Sequence, residues 1–321
     1  MHTTHSKFLS LIAVFAVIIA SLVIIVGSHV AMAAQASVDL GTAKPFAVLA
    51  GTPNITDAGN TSVINGDVGL SPATGAGIGL LCSQVSGAIY TVDAAGPLCR
   101  ENNPALLTTV KSDLTTAYDD AAGRTPVTTV PTELGGTTLV AGVYAATSTT
   151  FGITAGAGPL VLDGQGDPSS VFIFQAPFSG TGLTVGSASV VSLVNGAQAC
   201  NVFWRVNTAS INSGATFVGT ILALTSITAA NAATIEGRLL ARNGSVTLIN
   251  NTITVPVCAT TVDEGDGSGA GTGGTTNTGV VPGFPNTGWP SSQYVFWAAI
   301  ALFVAAITFL FSYLIYKKRS T

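Results

Sequence analysis

The sequence predicts a mainly β protein in which the chain winds as a three-sided β-solenoid, with one long α-helix packed alongside. Two observations predict this fold. Blocks of eighteen residues repeat between positions 201 and 254, and residues 104–122 place apolar side chains at helical spacing. Three sides of about six residues account for the repeat. A β-sandwich, the alternative, would alternate apolar and polar residues without stacking the blocks in register.

The three blocks are NVFWRVNTASINSGATFV, GTILALTSITAANAATIE and GRLLARNGSVTLINNTIT, and they begin at Asn201, Gly219 and Gly237. Their alignment superimposes two apolar sets that we expect to face inward. Next to the second apolar set lies a set of threonines, which must face outward because side chains alternate along a strand. The apolar sets are Phe203, Ile221 and Leu239, then Phe217, Ile235 and Ile253; the threonines are Thr216, Thr234 and Thr252.

The predicted helix has its own start and stop signals. Asn103 can cap its first turn, Pro104 suits the first helical position, and Gly123 with Pro126 ends it. A helix of this length measures about 28 Å, which would cover about six strands stacked at about 4.8 Å. Its apolar stripe consists of Leu107, Val110, Leu114, Ala117, Tyr118 and Ala121.

The two ends of the chain predict export and membrane attachment. Residues 1–33 hold a long apolar run and then Ala31-Met32-Ala33, which is typical of a cleaved secretory signal; an uncleaved anchor is the alternative. Residues 294–316 carry no charge and precede the basic tail 317–321, which predicts a membrane span with a cytoplasmic tail. The domain at 34–258 is therefore expected outside the cell.

Residues 259–290 are rich in Gly, Ser and Thr and predict a flexible linker. Near its end is a motif that resembles a sortase sorting signal of the LPxTG type, with phenylalanine in place of leucine. The resemblance implies cell-wall attachment; without it, the apolar span would hold the protein in the membrane. The motif consists of Phe284, Pro285, Asn286, Thr287 and Gly288.

Four cysteines lie in the expected extracellular part, where disulfides form. Their spacing favours a local loop closed by Cys82 and Cys99. In a continuous stack Cys200 and Cys258 would be about three strands, or about 14 Å, apart, which is too far for a disulfide. They can pair only if the chain leaves the stack after Pro256.

Few residues in the predicted domain could support catalysis. All three histidines lie in the signal segment, so histidine cannot act there as a base or a metal ligand. The low charged fraction of 8% and the pI near 5.2 argue against a nucleic-acid partner. We therefore expect neither an enzyme nor a cofactor. Between residues 139 and 258 the carboxylates are Glu236 and two that we expect to cap a turn, Asp163 and Asp167.

Six ordered motifs between Val38 and Cys258 carry a family resemblance: LGTAKPFAVLAG, NGDVGLSP, DLTTAYDDAAGRTP, LDGQGDPSSVFIFQ, NGAQACNVFWRV and GRLLARNGSVTL. Together they resemble the ice-binding proteins of the DUF3494 type. The resemblance implies a discontinuous right-handed β-solenoid with a helix alongside. It also implies that amino-terminal strands join the carboxy-terminal stack, with an inserted cap in or near which Cys82 and Cys99 would lie.

The resemblance further implies adsorption to ice through a flat solenoid face that carries a T-A/G-x-T/N pattern, which hinders crystal growth and recrystallisation or attaches the cell to ice. Small hydroxylated side chains on such a rigid face can hold ordered water with little loss of entropy. In the next block Val246 and Ile249 occupy the same positions without hydroxyls. The predicted ice-binding residues are Thr181, Thr184, Ser210, Ser213, Thr228 and Asn231, with Thr216, Thr234 and Thr252 as the alternative face.

The alternative function is a non-catalytic adhesin for polysaccharide or other cells, and a structural stalk is a third. Carbohydrate sites usually present aromatic platforms, but the strand aromatics here are predicted to be core residues. We expect a monomer anchored at the cell surface. These aromatics are Phe172, Phe174, Phe203, Trp204 and Phe217.

Overall fold

The computed structural model describes residues 35–176 and 182–259. The predicted signal (1–33), sorting motif (284–288), membrane span (294–316), basic tail (317–321) and Thr181 lie outside the described residues. The described residues contain one α-helix, α1 (Pro104–Gly123). In chain order the strands are β1 (Phe46–Ala50), β2 (Ile55–Asp57), β3 (Val63–Asn65), β4 (Asp67–Leu70), β5 (Ile78–Gly79), β6 (Ile89–Thr91), β7 (Arg100–Asn102), β8 (Val127–Val130), β9 (Thr138–Val140), β10 (Gly142–Ala146), β11 (Thr150–Ile153), β12 (Leu160–Asp163), β13 (Phe172–Gln175), β14 (Gly182–Val185), β15 (Val191–Val194), β16 (Val202–Val206), β17 (Thr208–Ile211), β18 (Thr216–Ala223), β19 (Ile227–Ala229), β20 (Thr234–Ala241), β21 (Val246–Leu248) and β22 (Thr252–Thr254).

The described strands form three parallel sheets, as expected for a mainly β fold. The twelve-stranded sheet has the order β7-β6-β4-β1-β20-β18-β16-β13-β10-β8, and β22 and β3 extend it beside β20. The seven-stranded sheet has the order β11-β14-β17-β19-β21-β2-β5, and the three-stranded sheet the order β15-β12-β9. Each sheet pairs strands from successive passes of the chain.

The eighteen-residue repeat appears directly in the strand pairing. Thr216 pairs with Thr234 and Thr234 with Thr252, and the inward set Phe217, Ile235 and Ile253 follows the same register. The predicted alignment of the threonines and of the apolar set beside them is confirmed. These apolar side chains are buried, whereas the three threonines are exposed.

The prediction for the other apolar set, Phe203, Ile221 and Leu239, was wrong at Phe203. Trp204, not Phe203, pairs with Ile221 and faces the interior, while Phe203 pairs with Thr220 and packs on the helix side. Paired residues of β16 and β18 are seventeen positions apart, whereas those of β17 and β19 are eighteen apart. The connection after β18 is one residue longer than the connection after β16, so the eighteen-residue register of the first two blocks holds only after this connection.

Helix α1 packs on the twelve-stranded sheet. It contacts β6, β13, β16 and β18, which span seven neighbouring strands, or about 29 Å, close to the length of about 30 Å for a twenty-residue helix. The Asn103 side chain accepts a hydrogen bond from the backbone N–H of Leu106 at 3.0 Å, as the predicted cap requires. The predicted stripe is confirmed, since the buried helix residues are Leu107, Val110, Leu114, Ala117, Tyr118 and Ala121.

Strands from the two ends of the domain are neighbours in the same sheets. Strand β1 lies between β4 and β20, β2 lies between β5 and β21, and β3 pairs with β22. The chain therefore inserts its first strands beside its last ones, as the family resemblance implies.

Both disulfides are formed. Cys82 bonds to Cys99 and Cys200 bonds to Cys258, with Cα–Cα distances of 5.9 and 5.7 Å. The second pair meets the condition set by the sequence, because after β22 the chain leaves the stack and returns to the short 3-10 helix at Ala199–Asn201. There the backbone N–H of Ala259 donates to the side chain of Gln198 at 2.6 Å.

Aromatic side chains fill the interior between the sheets. Phe174 and Trp204 stack with ring centroids 3.8 Å apart, and Phe151 packs edge-on against both. Such a core makes the strands rigid. Within residues 35–176 and 182–259, no helix combines the length and apolarity needed to cross a bilayer.

Candidate functional site

A row of small hydroxylated side chains crosses the outward face of the seven-stranded sheet. Thr184 pairs with Ser210, Ser210 with Thr228, Thr228 with Thr247, and Thr247 with Thr56. We call these five residues the hydroxyl row. Every strand residue directly before or after one of them is buried, so each hydroxyl projects from a packed strand. Neighbouring members are about 4.8 Å apart, and the row is about 19 Å long.

Two members of the hydroxyl row were not predicted. The sequence alignment placed Val246 after Thr228, but the register places Thr247 there, and Val246 points into the core. The turn before β21 spans residues 242–245, one residue more than the turn before β19 at 224–226. The extra residue moves β21 by one position and reverses which of its side chains face outward.

Thr56 was missed for a different reason. It lies in β2, near the amino terminus of the domain, and joins the row only because β2 pairs with β21. In the triplet Ile55-Thr56-Asp57, as around the other outward threonines, the side chains point alternately inward and outward, and this signal could have identified Thr56 as an outward residue. No local pattern identifies the strand that lies beside it.

A second group of polar side chains lies at the corner that follows these strands. Ser213, Asn231 and Asn250 are exposed there. The amide of Asn250 donates a hydrogen bond to the side-chain oxygen of Asn231 at 3.3 Å. Ile249, the residue expected at this position, is half-buried. The corner is therefore polar beside Thr228 and Thr247.

The buried carboxylate of Asp57 holds the backbone of this corner in place. Its oxygens accept hydrogen bonds from the backbone and hydroxyl of Ser62, from the amide of Gln84 and from the backbone N–H of Asn250. Burial raises the pKa of Asp57, but these hydrogen bonds outweigh burial, and the net pKa lies below the ordinary value. The side chain is therefore ionised at neutral pH and holds the backbone that carries the Asn250 amide.

The outward positions of the seven named strands of this sheet carry no charge, but Glu133 bridges to Gly152 at the β11 edge and places a carboxylate there. Helix α1 packs on another sheet, so it leaves this face open. Small residues flank the hydroxyl row at both ends, which keeps the face level. The flanking residues are Thr150, Gly152, Gly182, Thr208 and Gly79.

The alternative face is the threonine row, which consists of Thr216, Thr234 and Thr252. The exposed residues Val190 and Val63 extend this row at its two ends. Beside it, Glu236 pairs with Thr254 and is exposed, so a charge interrupts this surface. Both rows are accessible, but they differ in length, composition and charge.

The other candidate groups lie elsewhere. The strand aromatics Phe172, Phe174, Phe203, Trp204 and Phe217 are all buried, as predicted, and offer no platform to a ligand. Asp163 accepts from the backbone N–H of Gln165, and Asp167 from that of Ser169, which are the predicted turn caps. No group of three or more His, Cys, Asp or Glu side chains in the described ranges is arranged to hold a metal ion.

Comparison with known proteins agrees with this arrangement. The family model described as Ice-binding-like matches residues 48–254, which contain both rows. The chain belongs to this ice-binding-like family. An ice-binding protein of Flavobacterium frigoris is 42% identical over 223 residues, covering 68% of this chain and 76% of the relative.

Two solved structures of ice-binding proteins share the fold. One comes from an Antarctic biological consortium, with a TM-score of 0.61 and 37% identity, covering 70% of this chain and 94% of that one. The other is the DUF3494 domain of a Shewanella frigidimarina ice-binding protein, with a TM-score of 0.62 and 29% identity, covering 70% and 100%. This member of the ice-binding-like family is therefore mainly β, with parallel sheets and a helix, like its structural neighbours.

Proposed function

We propose that this protein binds ice, without catalysis, through the face of the seven-stranded sheet that carries the hydroxyl row. Family membership and the names of its relatives support ice as the ligand. The observation that supports this face is the pairing of Thr184, Ser210, Thr228, Thr247 and Thr56 across five consecutive strands.

The geometry suits a crystalline ligand. Each threonine combines a methyl group with a hydroxyl on a β-branched side chain that is stiff at its first torsion. The backbone beneath is held on both sides by parallel strands and packed against an aromatic core. Little conformational entropy remains to be lost when the face meets an ordered water layer.

The hydroxyl row is preferred to the threonine row on charge and continuity. It carries hydroxyls on five strands, and the charge in its register, Glu133, lies two strands beyond Thr184, whereas the threonine row has three threonines directly beside Glu236. A carboxylate binds water strongly and projects above its neighbours, which disturbs a level contact with ice.

The test compares bulky substitutions on the two rows. In a protein of residues 34–262, Thr228→Tyr and Thr247→Tyr should each reduce thermal hysteresis about tenfold, since an aromatic ring at the centre of the face prevents flat contact. Thr234→Tyr, the matched control on the threonine row, should retain most of the activity. Recrystallisation inhibition should follow the same order.

The melting temperatures of all variants should agree within a few degrees, because the substituted side chains point into solvent. Loss of activity in Thr234→Tyr alone would move the site to the threonine row. An inactive parent domain would reject ice binding.

We further infer that the strands wind as a discontinuous right-handed three-sided solenoid. Three parallel sheets visited in turn support the three sides, and the strong preference of parallel crossovers for the right hand supports the handedness.

We also propose display outside the cell, through cleavage of residues 1–33 and retention by residues 294–316 or by a sortase acting at Phe284–Gly288. Two disulfides are consistent with an oxidising compartment. Protease treatment of intact cells should release the domain; protection of the domain would contradict the proposal.

A further inference from the structure

A cavity of about 530 Å³ lies on the twelve-stranded sheet, and no residue of either row lines it. Its walls come from the segments that precede β1 and follow β22, and its floor comes from β16 and β20. Val38, Leu40, Phe203 and Val257 give the cavity apolar walls, and Arg238 is the buried cation that lines it.

Arg238 is buried, but the described residues bond only part of its guanidinium group. It is 4% exposed, and its guanidinium donates to the carbonyl of Lys44 at 2.8 Å and to the hydroxyl of Thr220 at 3.2 Å. A guanidinium has five N–H groups, so three remain without an acceptor among the described residues. No carboxylate in those residues forms an ion pair with Arg238.

The charge of Arg238 is therefore not neutralised by the domain itself. Burial alone lowers the pKa of Arg238 to about 10, and it stays protonated at neutral pH. The other buried arginine, Arg205, differs because its guanidinium lies over the ring of Tyr118 at 4.6 Å. Buried charges in proteins are normally paired, so an anion facing Arg238 would remove a substantial energetic cost.

We propose that this cavity binds a carboxylate with a short apolar chain, held by the guanidinium of Arg238. The remaining N–H groups can form the paired hydrogen bonds that suit the planar carboxylate. The buried Arg238 balances one negative charge, and the other charged lining residues, Asp39 and Lys44, have opposite signs, so the cavity favours a singly charged anion over a dianion such as phosphate. The apolar walls accommodate the chain of the ligand.

The expected source of the carboxylate is a free small molecule.

The experiment uses the full-length protein in a mild detergent and isothermal titration calorimetry with butyrate as the probe. The protein should bind butyrate saturably, and 1-butanol and inorganic phosphate at least about tenfold more weakly.

Two substitutions test the site. Arg238→Gln removes the cation and should abolish binding. Val257→Glu alters a side chain that is 91% exposed and supplies a carboxylate at the cavity, so it should reduce butyrate binding about tenfold without disturbing the core. If Arg238→Gln does not fold, Val257→Glu alone tests the proposal. The proposal is wrong if the protein shows no saturable butyrate binding, or if Val257→Glu or a folded Arg238→Gln protein binds butyrate as well as the parent does.

Discussion

At the scale of single residues, Asp57 shows how one buried side chain supports a surface function. It is 7% exposed, and its two oxygens accept four hydrogen bonds from three neighbouring segments. One of these bonds holds the backbone of Asn250, whose amide lies beside the hydroxyl row. Asp57 therefore links the inserted amino-terminal segment to the proposed ice-binding face.

Asp57→Asn should lower the free energy of unfolding at pH 7 by about 1–3 kcal/mol, because an amide cannot accept all four hydrogen bonds. The folded pKa of Asp57 is below its unfolded value, so its stabilisation is present above the unfolded pKa, near 3.8, and is lost as pH falls through the folded pKa. Urea titrations between pH 2 and 7 should show a shallower acid loss in the variant. Asp163→Asn, which changes an exposed turn cap, is the control and should cost less; equal losses would contradict the assigned role.

At the scale of elements, helix α1 is fixed to the sheet by polar contacts as well as by its apolar stripe. The ring of Tyr118 lies between the guanidinium groups of Arg205 and Arg242, at 4.6 and 4.9 Å. Two turns earlier, Lys111 donates to the backbone carbonyls of Ala241 and Arg242 at the end of β20. These cation–π and hydrogen-bond contacts determine where along the sheet the helix sits.

The Lys111 contact predicts a rise of stability with pH. Burial, and then the charge of Arg242, lower the pKa of Lys111 to about 8 from 10.5. Between these values the unfolded chain binds a proton that the folded chain has released, so raising the pH favours folding by up to about 3 kcal/mol. Thermal or urea unfolding between pH 7.5 and 10.5 measures this slope. Lys111→Met should flatten it, and an unchanged slope would contradict the assignment.

At the scale of the whole molecule, the domain joins its two ends by pairing amino-terminal strands with carboxy-terminal ones. Strands β1, β2 and β3 pair with β20, β21 and β22, and the Cys200–Cys258 disulfide then fixes the segment that leaves the last strand. The Cys82–Cys99 disulfide closes a shorter loop between β5 and β7. Neither disulfide lies in the seven-stranded sheet.

Replacing both Cys200 and Cys258 by alanine should lower the stability by about 2–4 kcal/mol, since a disulfide across 58 residues restricts the unfolded chain strongly. The same change at Cys82 and Cys99, across 17 residues, should cost about 1 kcal/mol less. Calorimetric melting measures both. Thermal hysteresis near 0 °C should persist in the first variant; its loss in a folded protein would show that the face depends on this closure.

The sequence by itself determined the elements whose signals are local. The stripe from Leu107 to Ala121 defined the helix, and the exact repeat of Thr216, Thr234 and Thr252 defined one register, because side-chain periodicity depends only on the backbone of the same element. The tertiary structure decided which strands are neighbours. One additional turn residue placed Thr247 rather than Val246 on the outward face, the insertion of β2 added Thr56, and the return of the chain joined Cys200 to Cys258. The alignment of one strand with the next depends on how the turns between them close and on which distant strands meet, and no single segment contains that information.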